Sequence, residues 1–278
     1  MTSSRIAFTM GLALALGTTA VVVAQRDATG QVASGRPWLG VELDQGRGDA
    51  RGVRVKHALR SSPAWKAGIR DGELIVRVGD VAVSKADEVI REVGSHAPGT
   101  SLRLTLQRGG SEVVLTALLA PLPESDEMLR LDKVGAQAPS WKGIAAVSGP
   151  LPSGMSELKG RVVVLDFWAT WCMACRMSAP KLAAWQAKFG AQGLSVIGIT
   201  DDPVAEASQA ANSFGMRYAA IGTDETSNTQ RAFGVRALPT IFVIDKRGVI
   251  RDVSVGFDPQ KEAETEALLT RLLAEPAP

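Results

Sequence analysis

The sequence predicts two folded domains: an N-terminal, mostly β domain with two short helices, and a C-terminal α/β sandwich. Three observations predict it. The chain has 278 residues, near the length at which single hydrophobic cores give way to several domains. Its first half shows short alternating strands punctuated by Gly, Pro and Asp, whereas its second half alternates continuous apolar runs with helical stretches. Between the halves, Pro121-Leu-Pro-Glu-Ser-Asp-Glu127 is a charged, Pro-containing stretch that suits a linker over residues 121–132. The domains are therefore expected at 36–120 and 133–278.

Charge narrows the partners. Residues 35–122 hold 13 Lys/Arg and 10 Asp/Glu, and residues 124–278 hold 16 and 18. These near-balanced halves lack the concentrated positive field that a phosphate backbone needs, so no nucleic-acid partner is expected. At the N-terminus, Arg5 precedes an apolar run that ends in small residues at Val22-Val23-Ala24-Gln25. A positive start, an apolar stretch and small residues form a secretory signal, with cleavage expected after Ala24. The alternative is an uncleaved anchor, since residues 6–24 are just long enough to span a bilayer. On both readings the remaining chain is periplasmic or otherwise extracytoplasmic. Residues 25–35, without an apolar pattern, read as a spacer.

In the first domain, Val53 to Ala58 alternates as a strand should. Ser62-Pro63-Ala-Trp-Lys-Ala-Gly68 reads as a short helix, with Ser62 as its cap, Pro63 at its first position and Gly68 as its stop. Asp71-Gly72 turns into a strand over 73–78, and Gly79-Asp80 turns it back through 81–83. Ser84 is placed to cap a helix reaching about Val93, and residues 101–107 and 112–118 form a hairpin across Arg108-Gly109-Gly110. His57 and His96 read as surface polar residues.

In the second domain, residues 161–168 begin as a β-branched, apolar run, the pattern of a strand buried on both faces. A helix is expected over 176–189, with Leu182, Trp185, Ala187 and Phe189 on its apolar side and a kink at Pro180. Further strands are expected at 193–200 and 218–222, with helices from Asp202-Pro203 to about Phe214 and over 228–233. Residues 240–245 and 249–255 form a hairpin, and a closing helix over 262–273 carries Leu268, Leu269, Leu272 and Leu273 on one side. Parallel strands with crossover helices followed by an antiparallel hairpin make an α/β sandwich.

The chain's two cysteines, Cys172 and Cys175, sit at the turn between that first strand and its helix. A disulfide between them closes almost no loop, so it has little structural value. Zinc needs about four ligands, and both histidines lie far upstream. A lone C-x-x-C is then either redox-active or accidental, and context decides. At a helix N-terminus the free backbone N–H groups and the helix dipole favour a thiolate at Cys172. Cys175, one turn on, is placed to resolve a mixed disulfide.

Phe167-Trp-Ala-Thr-Trp-Cys-Met-Ala-Cys175, followed by Leu238-Pro239-Thr240, resembles the thioredoxin superfamily. Val134-Gly-Ala-Gln-Ala-Pro-Ser-Trp141, Ser156-Glu-Leu-Lys-Gly160 and Pro239-Thr-Ile-Phe-Val-Ile-Asp245 are closer still to its TlpA/ResA-type branch. The resemblance implies Cys172 as attacking thiol, Cys175 as resolving thiol and Pro239 as a cis proline facing them. It also implies Asp166 as a buried acid that manages the resolving proton, with Trp168 and Trp171 framing the site. The plainer readings are a solvated carboxylate for Asp166 and core packing for Trp168. Met173-Ala174 between the cysteines adds no charge, which leaves the reduction potential open.

In the first half, Ser62-Pro63-Ala64, Ala67-Gly68-Ile69 and Asp71-Gly72-Glu73-Leu74-Ile75 resemble the PDZ domain of bacterial periplasmic proteases. That likeness implies a carboxylate-binding loop at Arg36-Pro-Trp38-Leu39-Gly40-Val41. A groove would run along Val41–Leu43 and a helix bearing Val89 and Ile90, taking a partner's C-terminal peptide. Arg36 adds charge for the carboxylate, or is an ordinary solvated arginine. Together the resemblances imply an exported thiol–disulfide oxidoreductase reducing protein disulfides, re-reduced by a membrane electron donor. Its only redox group is the Cys172–Cys175 disulfide. A disulfide-forming oxidase and a non-catalytic PDZ adaptor are the alternatives.

Overall fold

A computed structural model describes residues 35–44 and 52–278. The expected signal or anchor, residues 1–24, lies outside them, and among the described residues no helix is long and apolar enough to cross a membrane.

The N-terminal domain opens with β1 (Pro37–Trp38), β2 (Val41–Leu43), β3 (Val53–Ala58) and α1 (Pro63–Ala67). The expected caps of α1 are present. The Ser62 hydroxyl accepts from the Trp65 amide at 3.1 Å, and Gly68 takes the left-handed conformation that stops the helix. Next come β4 (Leu74–Val78), β5 (Val81–Ala82), α2 (Ala86–Gly94), β6 (Ser101–Arg108), β7 (Ser111–Leu118) and β8 (Ala120–Pro121). Lys85, not Ser84, holds the cap position of α2. The Glu88 carboxylate reaches back instead to the Ser84 and Lys85 amides, at 2.7 and 3.1 Å. The sheet runs β2-β3-β4-β6-β7 with β5 on β4, and β1 pairs with β8.

Where the sequence suggested a linker, Ser125–Lys133 form helix α3. Asp126 and Glu127 in its first turn and Arg130 and Lys133 in its last suit the helix dipole. Arg130 pairs with Asp252 and reaches the Val253 carbonyl, fastening α3 to the C-terminal domain.

That domain comprises β9 (Ala145–Ser148), β10 (Val162–Phe167), α4 (Met173–Phe189), β11 (Leu194–Thr200), α5 (Val204–Phe214), β12 (Ala220–Thr223), α6 (Asn228–Phe233), β13 (Thr240–Ile244), β14 (Ile250–Val255) and α7 (Lys261–Ala274). Its sheet runs β14-β13-β10-β11-β12-β9, with β10, β11 and β12 parallel and the others antiparallel. Every residue of β10 is buried. Val163, Leu165 and Phe167 join one core with Phe233 and Phe242, and Val162 and Val164 join another with Leu182, Trp185 and Phe189 of α4. Ala187, expected on that apolar side, is exposed. The side is completed from α7, where Glu266 accepts from Trp185 Nε1 at 3.0 Å and pairs with Lys188 at 2.6 Å.

His57 is not the free surface residue that the sequence suggested. Its ring lies between two carboxylates: Nδ1 is 3.0 Å from Asp71 and Nε2 is 2.8 Å from Asp132 of α3. Both nitrogens donate only when the imidazole is protonated. Burial pulls its pKa down, but hydrogen bonds to Asp71 and Asp132 outweigh this and raise it above 6.5. Both carboxylates are held below 3.8. Burial opposes this, chiefly overcome at Asp71 by the Ala58 amide and at Asp132 by Lys133, with His57 adding to each. The His57 contribution to stability is thus fully present below pH 6.5 and lost as pH rises through its higher folded-state value. The carboxylate contribution runs oppositely, present above pH 3.8 and lost as pH falls through their depressed values. Denaturant titrations of wild type and His57→Gln should therefore show the alkaline loss in wild type only; equal losses refute the assignment.

Candidate functional site

The site begins where β10 ends. Trp168 donates its amide to the Ile199 carbonyl at 3.1 Å, extending the strand by one bond. Asp202 then fixes the turn: its Oδ2 accepts from the Thr170 amide at 2.7 Å and the Thr200 hydroxyl at 2.8 Å. The chain enters α4 with Cys172 itself as N-cap, its Sγ accepting from the Cys175 amide at 3.1 Å. The helix consequently starts at Met173, three residues before its expected start. Cys172 and Cys175 form a disulfide, with 5% and 1% of their surfaces exposed. On reduction, the same amide and the helix dipole stabilise a thiolate at Cys172.

The expected cis proline is present, at the Leu238–Pro239 bond. Antiparallel pairing sets Thr240 opposite Phe167, which brings the loop before β13 to the end of β10. Leu238 packs in one cluster with both cysteines. The Pro239 carbonyl accepts from the Gly256 amide at 2.8 Å, and the Thr240 hydroxyl donates to the Ala237 carbonyl at 2.7 Å.

Asp166 is a buried acid, not a solvated one. It alternates onto the face of β10 shared by Val162 and Val164, the face that α4 covers. Tyr218 donates its hydroxyl to Oδ2 at 3.0 Å, while Oδ1 has no hydrogen-bond partner among the described residues. Burial raises the Asp166 pKa to about 7, with the Tyr218 hydrogen bond pulling the other way. Burial and then the Asp166 charge push the Tyr218 hydroxyl well above 10. Gly198, opposite Asp166 on β11, makes the room: a Cβ there would lie 3.1 Å from Trp168 Nε1 and 3.3 Å from the Tyr218 ring. Sequence reasoning missed Tyr218 as a functional residue. Its partner lies 52 residues away, so no local pattern marks it.

The two tryptophans divide. Trp168 is fully buried in the cluster that holds both cysteines and packs edge-on against Phe214, its ring centroid 6.0 Å away. Trp171 is 76% exposed, as are Met173 at 66% and Met177 at 52%, giving the cysteines an apolar rim. Among the described residues, no group of three or more His, Cys, Asp and Glu is arranged to hold a metal ion.

The residues expected to bind a peptide lie on the N-terminal domain, apart from the cysteines. Arg36 is exposed, Trp38 is half-buried in β1, and Leu39 and Gly40 are buried. Val41 begins β2, an edge strand. Ile90 stands out from α2 with 56% of its surface exposed, whereas Val89 is buried in the core and so supports the groove without lining it.

Residues 134–253 match the AhpC/TSA family, and residues 37–119 match the PDZ domain. The thioredoxin-like protein YneN of Bacillus subtilis is 31% identical over 133 residues, which cover 47% of this chain and 76% of YneN. The thiol-disulfide oxidoreductase ResA of Bacillus anthracis is 28% identical over 111 residues, 40% of this chain and 64% of ResA. Protein DipZ of Mycobacterium tuberculosis is 30% identical over 190 residues, 65% of this chain, yet the chain spans only 26% of DipZ. Helix cap, cis proline and relatives converge on one conclusion: the chain belongs to the TlpA/ResA-type branch of the thioredoxin-like thiol–disulfide oxidoreductases, with a PDZ domain ahead of its redox domain.

Proposed function

We propose that this enzyme works outside the cytoplasm, reducing disulfides of protein substrates that its PDZ domain helps to recruit. One observation carries the redox part: Cys172 caps α4 and packs in one cluster with Leu238 of the cis Leu238–Pro239 bond, with a buried carboxylate, Asp166, on the face of β10 that α4 covers. The Cys172 thiolate attacks one sulfur of the substrate disulfide, forming a mixed disulfide and releasing the other sulfur as a thiolate. Cys175 then gives up its proton to Asp166 and attacks Cys172 Sγ. The Cys172–Cys175 disulfide forms, the second substrate thiolate leaves, and two electrons have passed to the substrate. A dithiol donor at the membrane then restores the cysteine pair for the next turnover.

Reduction is favoured over oxidation by the uncharged Met173-Ala174 pair, which supplies nothing to stabilise the reduced form unusually. The scaffold alternative falls with membership of an enzyme family. Export rests on the N-terminal pattern of residues 1–24, and peptide binding on the PDZ match and the open edge of β2.

Turnover in an insulin-reduction assay should vanish in Cys172→Ser, while Cys175→Ser should accumulate a mixed disulfide; equal rates in all three proteins would refute the mechanism. Equilibration with a dithiothreitol series should give a potential near that of thioredoxin, about −270 mV, whereas a value near about −120 mV would reverse the direction.

Asp166 generates opposite expectations for activity and stability. Asp166→Asn should slow resolution and abolish its rise with pH near 7. A carboxyl whose folded-state pKa is raised from 3.8 to about 7 contributes stability that is fully present below pH 3.8 and is lost as pH rises from there through about 7. The same variant should therefore be the more stable protein above pH 7, by up to the order of 4 kcal/mol. Tyr218→Phe removes a bond to the charged form, so the pH profile of resolution should move upward. Stopped-flow rates and denaturant titrations across pH 5–9 check all three, and a pH profile unmoved in Tyr218→Phe would remove Tyr218 from the mechanism.

A further inference from the structure

Residues of strand β2 and of the segment leading into the cis proline line one cleft. Among the described residues, strand β2 lies at the edge of its sheet, paired on one side alone. The Leu59 amide donates to the Gly40 carbonyl at 3.0 Å, and the register sets Val41 opposite Ala58 and Glu42 opposite His57. In an antiparallel ladder alternate residues bond inward, so with Gly40 and Glu42 turned toward β3, the N–H and C=O of Val41 point from the open edge. Such groups are a template for an added strand. The loop before them is closely packed: Gly40 has φ +82°, and a Cβ on it would fall 2.2 Å from Ser62 Cβ.

Val41 and Glu42 line a cleft of about 660 Å³ whose far wall is Gly234, Val235, Arg236 and Ala237. That volume is in the usual range for ligand sites, about 300–1,000 Å³. The far wall is the segment leading into the Leu238–Pro239 cis bond. Glu42 and Arg236 meet across the cleft at 3.6 Å, and only Ala237 and Leu238 separate Arg236 from Pro239, a span of at most about 11 Å when extended. The His57–Asp132 contact ties β3, the neighbour of β2, to α3, which lines the same cleft through Leu129 and Asp132.

We infer that one extended polypeptide occupies both domains at once, its C-terminal segment added to β2 within this cleft and its disulfide presented to Cys172 past the cis-proline loop. This deepens the recruitment reading and rests on it. The substrate class it names is a protein with a free C-terminal carboxylate and a reducible disulfide a short way upstream. The cleft binds backbone through Val41, and the Cys172–Cys175 pair exchanges electrons with the same chain as already described. Because the second contact is intramolecular, its gain depends on the span between docked end and disulfide, absent when the chain is too short and falling again when it is long.

The test uses the full chain and disulfide-linked peptides of one sequence, made as free acids and as amides, with about 4, 8, 12 or 20 residues between disulfide and C-terminus to bracket the span. Turnover is followed with a supplied dithiol, above the enzyme-free background. A free acid at one intermediate spacing should show a KM at least about tenfold below its amide, with kcat little changed. A cysteine-free acid peptide should raise that KM without altering reduction of a small aromatic disulfide. Equal KM for acids and amides at every spacing, or a preference that ignores spacing, would overturn the inference. The recruitment reading is judged separately, by whether the cysteine-free acid binds the full chain more tightly than its amide in calorimetry. Reduction of the small disulfide in wild type, with its loss in Cys172→Ser, would leave the redox mechanism standing in either case.

Discussion

Strand β10 is buried on both faces, and every part of the redox site is reached from it. Its alternation sends Val163, Leu165 and Phe167 into one core and Val162 and Val164 into the other, so its position cannot slip by a residue without turning both cores inside out. That register places Asp166 under α4, Phe167 opposite Thr240 and the turn to Cys172 at the strand's end. Parallel pairing with β11 sets Gly198 opposite Asp166 and brings Thr200 and Asp202 to brace the turn. Hydrophobic burial along six residues thus fixes thiol, acid and cis proline relative to one another.

The same burial makes the site expensive. A carboxylate inside a sheet loses its hydration, and among the described residues one oxygen receives no hydrogen bond in return. The protein does not remove this cost; it limits it. Tyr218 supplies one donor, and the proton taken up near pH 7 removes the charge. In the proposed mechanism a carboxyl poised near neutrality accepts the Cys175 proton and releases it later, which a fully satisfied and ionised carboxylate would do poorly. Stability given up at Asp166 and proton-transfer capacity gained there have one origin.

What the sequence made legible was local or strongly periodic. The buried run of β10, the Ser62-Pro63-Gly68 caps of α1 and the Leu-rich face of α7 each carry their signal within a few residues. The C-x-x-C at a strand–helix turn and the following Leu-Pro-Thr likewise made the cysteines and cis proline visible. The remainder depended on distant partners. Tyr218 and Asp166 meet only because β12 follows β11 in the sheet, and His57 acquires its role from Asp132, 75 residues on. Helix α3 was hidden by its charge and by the prolines before it, which resemble linker composition until Arg130 finds Asp252. Strand β9, with its small and mostly exposed residues, had no apolar alternation to betray it.

Helix α3 also changes what joining the two domains can mean. A flexible tether raises the local concentration of a captured partner over a broad volume, with no preferred direction. Here the connecting segment is packed on β14 at Arg130 and clasped to the PDZ sheet by the two-sided contact of His57. Each contact is modest alone, since partly exposed ion pairs contribute little to stability. Their value is geometric: two anchors on one short helix restrain rotation as well as separation. Strand β2 consequently sits beside a particular side of the redox domain, the segment leading into the cis proline, and a polypeptide docked there as proposed would approach Cys172 from one direction.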